Sequence, residues 1–408
     1  MLSFVQSWFS SNANPIGVDF GSDGLRMAQV ESINGEYRLV AAARADVPTH
    51  VRNDPHAKLA FFADTVRELW GQGNFRSRKA VLSLPASVMT IQHLRVPKMD
   101  DAALKQALPW EARGRLPYDP THALLRHQIA GEVFADGEQK LEIILMAAQR
   151  EWVNQFLAAA AKARLDVVGM NVEPKALVEC FGHVYRRKSD SEVVNLFVDI
   201  GCSATRAIVA KGADIMFARS IAIGGDHMTR AVASATKGTY EDAKILRIKL
   251  CHAQAMADAA RVAPASQPSA EAGAEEVPGA VANTEAPQVA SADAARIDAA
   301  CREPLERLVQ ELQLCRRYHE STFPSLPVGR LVFVGGEARH RSLCQQIAQA
   351  MDLAATVGDP MARMGRTTEV GPESGIDRRL PQPDWAVALG LTMGPQGAPA
   401  TVPAAAAK

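Results

Sequence analysis

The sequence predicts an α/β protein of two domains with a duplicated core, and three observations carry that prediction. The chain has 408 residues, too many for one ordinary core. Short β-rich runs alternate with helical stripes along it. A strand–turn–strand–turn–strand unit occurs twice, near residue 16 and near residue 194, and its first strand ends in Asp-Phe-Gly-Ser (19–22) or Asp-Ile-Gly-Cys (199–202).

The elements follow in order. Ile16–Phe20 reads as a strand, Gly21–Gly24 as a turn and Leu25–Glu31 as a second strand. Asn34-Gly35 signals a hairpin leading into a third strand over Glu36–Val47. Leu59, Phe62, Val66 and Leu69 give Lys58–Trp70 a helical stripe. Ala80–Leu84 and Ser87–Val96 read as strands around Pro85, and Asp100 as the N-cap of a helix to about Gly114, interrupted by Pro109. Ala123–Gly131 and Lys140–Ala147 read as paired strands, Glu151–Ala163 as a helix and Asp166–Val172 as a strand, with Pro174 opening the next helix.

The pattern then restarts with strands over Val193–Ile200, Thr205–Ala210 and Ile215–Ile223. Helices are expected over Tyr240–Leu250 and Ala292–Glu320, the latter with Ile297, Leu305, Leu308, Leu312 and Leu314 as its apolar positions. Between them, Ala259–Ala295 is dominated by Ala, Pro, Glu, Ser and Gln with almost no large apolar side chain, and reads as a disordered or loosely helical loop. Arg330–Val334 reads as a strand that meets Gly335-Gly336 and opens a helix to Met351, and Ala386–Met393 as the last helix.

Composition excludes several classes. Lys+Arg and Asp+Glu both number 45, so no bulk charge draws the chain to nucleic acid or anionic membrane. The longest apolar runs fall far short of the roughly 20 residues of a spanning helix, and the start lacks the basic region and cleavage site of a secretory signal. It reads as a frayed terminus or as a short amphipathic foot carrying Leu2, Phe4, Val5, Trp8 and Phe9. The six cysteines and ten histidines form no metal-ligand spacing, which suits the reduced thiols of a cytosolic protein.

Four short motifs carry chemistry. Two acidic-glycine turns, Asp19–Gly24 and Asp199–Ser203, expose successive backbone N–H groups of the kind that bind phosphate oxygens. An Asp at each strand end suits a hydrated Mg²⁺, which takes one or two carboxylates plus water and phosphate. Glu173 stands where a strand meets a helix and serves either to orient water near a phosphate or simply to favour the helix N-terminus. Gly335-Gly336 follows a strand, a common approach point for a ligand in α/β folds, or only a tight turn.

Taken in order, DFGSDG (19–24), NVEP (171–174), VDIGCS (198–203) and VFVGGE (332–337) resemble the nucleotide signature of the actin, sugar kinase and heat-shock chaperone superfamily. Within it the chain is similar to the PilM family of type IV pilus assembly proteins and, more distantly, to the cell-division protein FtsA. The likeness runs through Ser83-Leu84-Pro85, Leu94-Arg95-Val96-Pro97, Trp110-Glu111-Ala112, Leu116-Pro117-Tyr118, Ala147-Ala148-Gln149-Arg150, Ile221-Ala222-Ile223-Gly224-Gly225 and Trp385–Gly390.

The resemblance implies a two-domain actin-like ATPase fold of duplicated ribonuclease H-like domains, with ATP or ADP and Mg²⁺ in the cleft. It places 16–77 with 167–190 in the first domain, 78–166 in an inserted subdomain shared by PilM and FtsA, and 191–393 in the second domain, carrying the 259–295 loop. Residues 1–15 and 394–408 are expected to be terminal segments, the latter disordered. Asp19, Glu173 and Asp199 take the catalytic positions, with Asp19 and Asp199 on Mg²⁺ through water. Gly21, Ser22, Asp23, Gly24, Leu25 and Arg26 form the first phosphate loop, and Gly201, Cys202 and Ser203 the second. Gly224, Gly225 and Asp226 stand near the phosphates. Glu241, Lys244 and Arg247, otherwise a solvated helix face, and Gly335, Gly336 and Glu337 stand near the adenosine. Asp23 and Gly24 replace small hydroxyl residues, Arg26 a lysine and Glu337 a glycine, departures that argue for nucleotide binding with weak or no hydrolysis.

The function so implied is a cytoplasmic ATP-binding scaffold at the inner face of the inner membrane. Its expected partners are the N-terminal peptide of a PilN-like membrane protein, other pilus platform proteins and motor ATPases, and further copies of itself. The alternatives are an FtsA-like or secretion-system protein and a small-metabolite kinase. The last lacks a convincing catalytic Asp beyond the first loop.

Overall fold

The computed structural model describes residues 13–262, 291–365 and 374–394. The expectations for the first twelve residues, for most of the 259–295 loop and for the tail beyond Gly394 therefore lie outside the described residues.

Two five-stranded sheets share one topology. The first has β1 (Ile16–Phe20), β2 (Gly24–Ile33) and β3 (Glu36–Asp46) as an antiparallel meander, with β4 (Lys79–Leu84) and β8 (Asp166–Val172) added parallel to β1, in the order β3-β2-β1-β4-β8. The second repeats this with β9 (Val194–Ile200), β10 (Thr205–Lys211), β11 (Asp214–Ile221), β12 (Arg330–Val334) and β13 (Ala355–Val357), in the order β11-β10-β9-β12-β13. The duplication legible in two turns is thus a duplication of whole sheets. Asn34 and Gly35 both have positive φ, 54° and 79°, as a two-residue hairpin matched to strand twist requires.

A third sheet is separate: β5 (Met89–Pro97), β7 (Glu138–Gln149) and β6 (Ala123–Ala135), in the order β5-β7-β6. It is covered by α2 (Asp101–Glu111), whose Leu104 and Leu108 pack with Leu94, Val96, Leu141, Ile143 and Leu145. Asp100 caps α2, its Oδ1 accepting from Ala103 N at 2.7 Å. Pro109 does not interrupt the helix as expected; α2 runs through it and ends two residues later. This sheet is narrower than the 78–166 insertion expected from the sequence. β4 belongs to the first sheet, and α3 (Arg150–Lys162) packs there too, Phe156 meeting Phe20 and Phe62 of α1 (Pro55–Gln72) edge to face.

The core has three further layers. α1 and α3 cover one face of the first sheet. α6 (Gly225–Thr236), α7 (Tyr240–Val262), α8 (Ser291–Thr322) and α9 (Arg341–Met351) cover the far face of the second. Between the two sheets lies a shared layer of α4 (Glu173–Gly182) and the last helix, Ala386–Met393. That last helix is α10, and the short α5 (Lys188–Glu192) leads from α4 into β9. The sequence grouped α10 with the second domain, yet it also packs on β1 and against α4. A Cβ on Gly17 would lie 2.0 Å from Ala388 O, and one on Gly390 1.8 Å from Ala176 O. The fully buried Trp385 fills the joint beside it.

Candidate nucleotide site

Asp19 and Asp199 are the penultimate residues of β1 and β9, so the shared topology brings the two hairpin turns to face each other across a cleft. The loop tips touch: Ser22 Oγ and Ser203 Oγ are 2.7 Å apart. In each loop only the first glycine N–H turns inward, Gly21 N donating to Gly24 O and Gly201 N to Ala204 O. The N–H groups of Ser22, Asp23, Cys202 and Ser203 have no acceptor among the described residues. N–H groups exposed in such turns are able to bind an anion.

Both aspartates are buried. Asp19 accepts from Ser83 Oγ at 3.1 Å, and burial raises its pKa against the pull of Arg26 and Arg206. In the register of each first hairpin the residue opposite the aspartate is an arginine, Arg26 opposite Asp19 and Arg206 opposite Asp199. The two arginines hold different carboxylates. Arg206 forks onto Glu173, with Nη2 to Oε1 at 2.6 Å and Nε to Oε2, while its Nη1 donates to Asp199 at 3.0 Å. Arg26 donates through Nε and Nη2 to Asp384 at 3.2 and 3.1 Å. Arg339 also donates to Asp384, at 2.6 Å, and Arg44 approaches to 4.0 Å.

Glu173 therefore stands at the junction of β8 and α4 as the sequence placed it, but with both oxygens on a guanidinium. Burial and the nearby Asp19 and Asp199 push its pKa up to about 7. A carboxylate clamped this way has both oxygens engaged by the guanidinium, so a water there would have to compete with Arg206.

The remaining predicted residues gather around the loops, many with internal partners. Gly225 N donates to Gly201 O at 2.9 Å and Asp226 N to Cys202 O at 2.8 Å, tying the start of α6 to the second loop. Asp226 Oδ1 accepts from Cys202 Sγ at 3.1 Å and from Tyr240 Oη. Gly224 is required there, because a Cβ would lie 2.6 Å from the carbonyls of Gly201 and Cys202. Leu25 is fully buried, so only its backbone reaches the loop.

On the opposite side, Arg247 is buried and donates to Glu337 at 2.5 Å and to Gly225 O at 3.1 Å. Against its burial, Arg247, His340 and Lys244 hold Glu337 below the usual carboxylate range. Glu241 accepts from Thr49 Oγ1 at 2.5 Å, a second contact across the cleft. Gly335, at φ 84°, leaves no room for a Cβ beside Asp199 Oδ1, which would be 2.5 Å away. Gly336 begins a short 3-10 turn, Gly336–Arg339, so α9 starts at Arg341 and not at the glycine pair.

Sequence reasoning missed Arg206, Asp384 and Lys58 of α1. Arg206 was legible, since it follows Asp199 at the offset by which Arg26 follows Asp19. All six cysteines are free, as expected. No group of three or more His, Cys, Asp or Glu stands together as metal ligands among the described residues. A Mg²⁺ here would have Asp19 and Asp199 and would need phosphate and water for the rest, a set that suits this ion.

Two matching sheets, facing acidic-glycine loops and a shared helical layer define an actin-like ATPase fold. The chain belongs to the PilM family: the family model described as type IV pilus assembly protein PilM matches residues 17–256. Among solved structures it is similar to the PilM-PilN type IV pilus biogenesis complex, at 21% identity and TM-score 0.70, covering 94% of this chain and 98% of that one. It also matches the ethanolamine utilization protein EutJ from Carboxydothermus hydrogenoformans, at 13% identity and TM-score 0.48, covering 94% and 90%. No curated protein sequence matches. No helix among the described residues is long and apolar enough to cross a membrane.

Proposed function

We propose that this member of the pilus assembly family is an ATP-binding scaffold that docks the N-terminal cytoplasmic peptide of a PilN-like membrane protein. The observation that carries the nucleotide half is the meeting of Ser22 and Ser203, with unclaimed N–H groups on both loops beside the buried Asp19. Those groups would hold the phosphates of ATP or ADP, with Mg²⁺ reached from Asp19 and Asp199 through water. Lys244, Glu241 and the turn at Gly335 would border the adenosine.

Hydrolysis is weak or absent in this reading, because Arg206 occupies Glu173 and Asp199. Bound nucleotide then acts by stabilising one closed arrangement of the cleft. The partner half rests on family membership and on the similar PilM-PilN complex. In this reading the protein works in the cytoplasm, held at the inner membrane by its partners. The domain division belongs to the same proposal, with the inserted subdomain drawn in to the third sheet and α10 shared between the two halves.

Two measurements test it. Titration calorimetry with ATP-Mg²⁺ is expected to show binding, with no phosphate release over hours. A synthetic N-terminal peptide of the neighbouring PilN-like protein is expected to be retained by the full chain, more tightly with ATP. No retention with or without nucleotide sinks the scaffold reading.

A further inference from the structure

Four cationic side chains bear on the two loops, and three are committed. Arg26 is held by Asp384, and Arg206 by Glu173 and Asp199. Arg52 donates to Val47 O at 3.1 Å and reaches Tyr240 Oη at 3.4 Å. Lys58 differs. Its Nζ has no hydrogen bond or ion pair among the described residues and lies 5.6 Å from the centroid of the Phe20 ring, the residue that follows Asp19.

Lys58 is placed there by helix geometry. Asp54 caps α1 by accepting from the N–H of His56 and Ala57 at 2.9 and 3.1 Å, and Lys58 N donates to Asp54 O at 2.9 Å. The first turn of α1 is therefore fixed, and Lys58 projects from it over the end of β1. Its side chain is partly buried, and burial pulls its pKa down; the charges acting on it come from both loops and the junction, namely Cys202, Asp23 and Glu173, together with Arg52. A partly desolvated ammonium without a partner is costly unless a ligand supplies the counter-charge.

We propose that Lys58 is the residue that neutralises the outer phosphate of a nucleoside polyphosphate in this cleft. The proposal rests on the nucleotide reading above and goes beyond it by assigning the cation. It explains how a site whose two loop arginines face inward still accepts a polyanion. It also assigns a direction: the outer phosphate points toward the first turn of α1, away from Arg247. Lys58 binds the phosphate; no bond-breaking step is assigned to it.

The test is calorimetric titration of the full chain with ATP, ADP and AMP, each with Mg²⁺, for the wild type, Lys58→Met and Lys58→Arg. The expected result is a loss of at least about tenfold in ATP affinity for Lys58→Met, the scale of one charge-assisted contact. The loss should shrink from ATP to AMP, and Lys58→Arg should recover most of it. Equal ATP affinity in wild type and Lys58→Met overturns the role of Lys58 while leaving the nucleotide site standing. An equal loss for all three nucleotides also overturns it, since that marks a structural effect. A wild type that binds none of them removes the nucleotide reading itself, and this role with it. Thermal melting checks folding, and Lys58→Gln replaces Lys58→Met should the latter not fold.

Discussion

Arg26 and Arg206 stand at equivalent positions of two copies of one structural unit, and each has turned its guanidinium onto a carboxylate outside its own sheet. Arg26 binds Asp384 at the entry to the last helix, and Arg206 binds Glu173 at the start of α4. Both targets lie in the layer between the sheets, so the pair pins that layer from both sides.

Replacing Arg206 by alanine leaves Glu173 and Asp199 buried with no cation against them. A loss of roughly 3–5 kcal/mol is expected, the usual cost of stripping one partner from a buried pair. Urea unfolding measures it. Adding Glu173→Gln to Arg206→Ala should restore part of the loss, and purely additive effects would mean the pair is not coupled.

Glu173 also gives a pH signature. Its folded pKa, raised by burial to about 7, lies above the ordinary 4.5, so the folded state binds this proton more readily than the unfolded chain. Its contribution is fully present below about 4.5 and is lost as pH rises through about 7. Melting temperatures of wild type and Glu173→Gln are expected to converge or cross over that window, and parallel curves would contradict the assignment.

Asp384 titrates in the opposite sense. Against the burial penalty, Arg26, Arg339 and Arg44 hold its pKa far below the ordinary 3.8. Its contribution is present above 3.8 and is lost as pH falls toward the folded value. Asp384→Asn is expected to cost roughly 3 kcal/mol at neutral pH. Acid unfolding of the variant should then depend less on pH than that of the wild type.

The approach of Ser22 to Ser203 offers a covalent test of cleft opening. With the two Oγ atoms 2.7 Å apart, Ser22→Cys with Ser203→Cys is expected to form a disulfide under mild oxidation. The oxidised protein should bind ATP more weakly than the reduced one, and reduction should restore binding. Unchanged affinity on oxidation would show that nucleotide does not enter between the tips.

The close approach of α4 and α10 predicts intolerance of a single methyl group. Gly390→Ala would place a Cβ 1.8 Å from Ala176 O, a backbone atom that cannot swing aside. Expression of this variant is expected to fail or to give a melting temperature many degrees lower. A melting curve like the wild type's would mean the two helices can separate.

Much of the fold was legible because the local signals agreed with the global one. Strand ends, the Asn34-Gly35 hairpin and the capped start at Asp100 each depend on residues within a few positions. The loops of the candidate site were legible for the same reason. What was not legible depends on contacts distant in sequence. The Asp384 cluster joins Arg26, Arg44 and Arg339, and no pattern near 384 announces it. β4 and α3 read locally like their neighbours, and only strand pairing and Phe156 join them to the first sheet. Arg247 reads as one charge on an amphipathic helix, and only the fold shows that it is buried against Glu337.

The seating of α10 between the sheets has a consequence for how the protein is made. β1 leaves the ribosome well before the helix that covers Gly17. Until that helix is made the first sheet waits with part of its inner face uncovered, and Trp385 arrives with the helix to close it. A nascent chain stalled short of residue 386 is thus a natural client for chaperones and a poor candidate for independent folding of its N-terminal half.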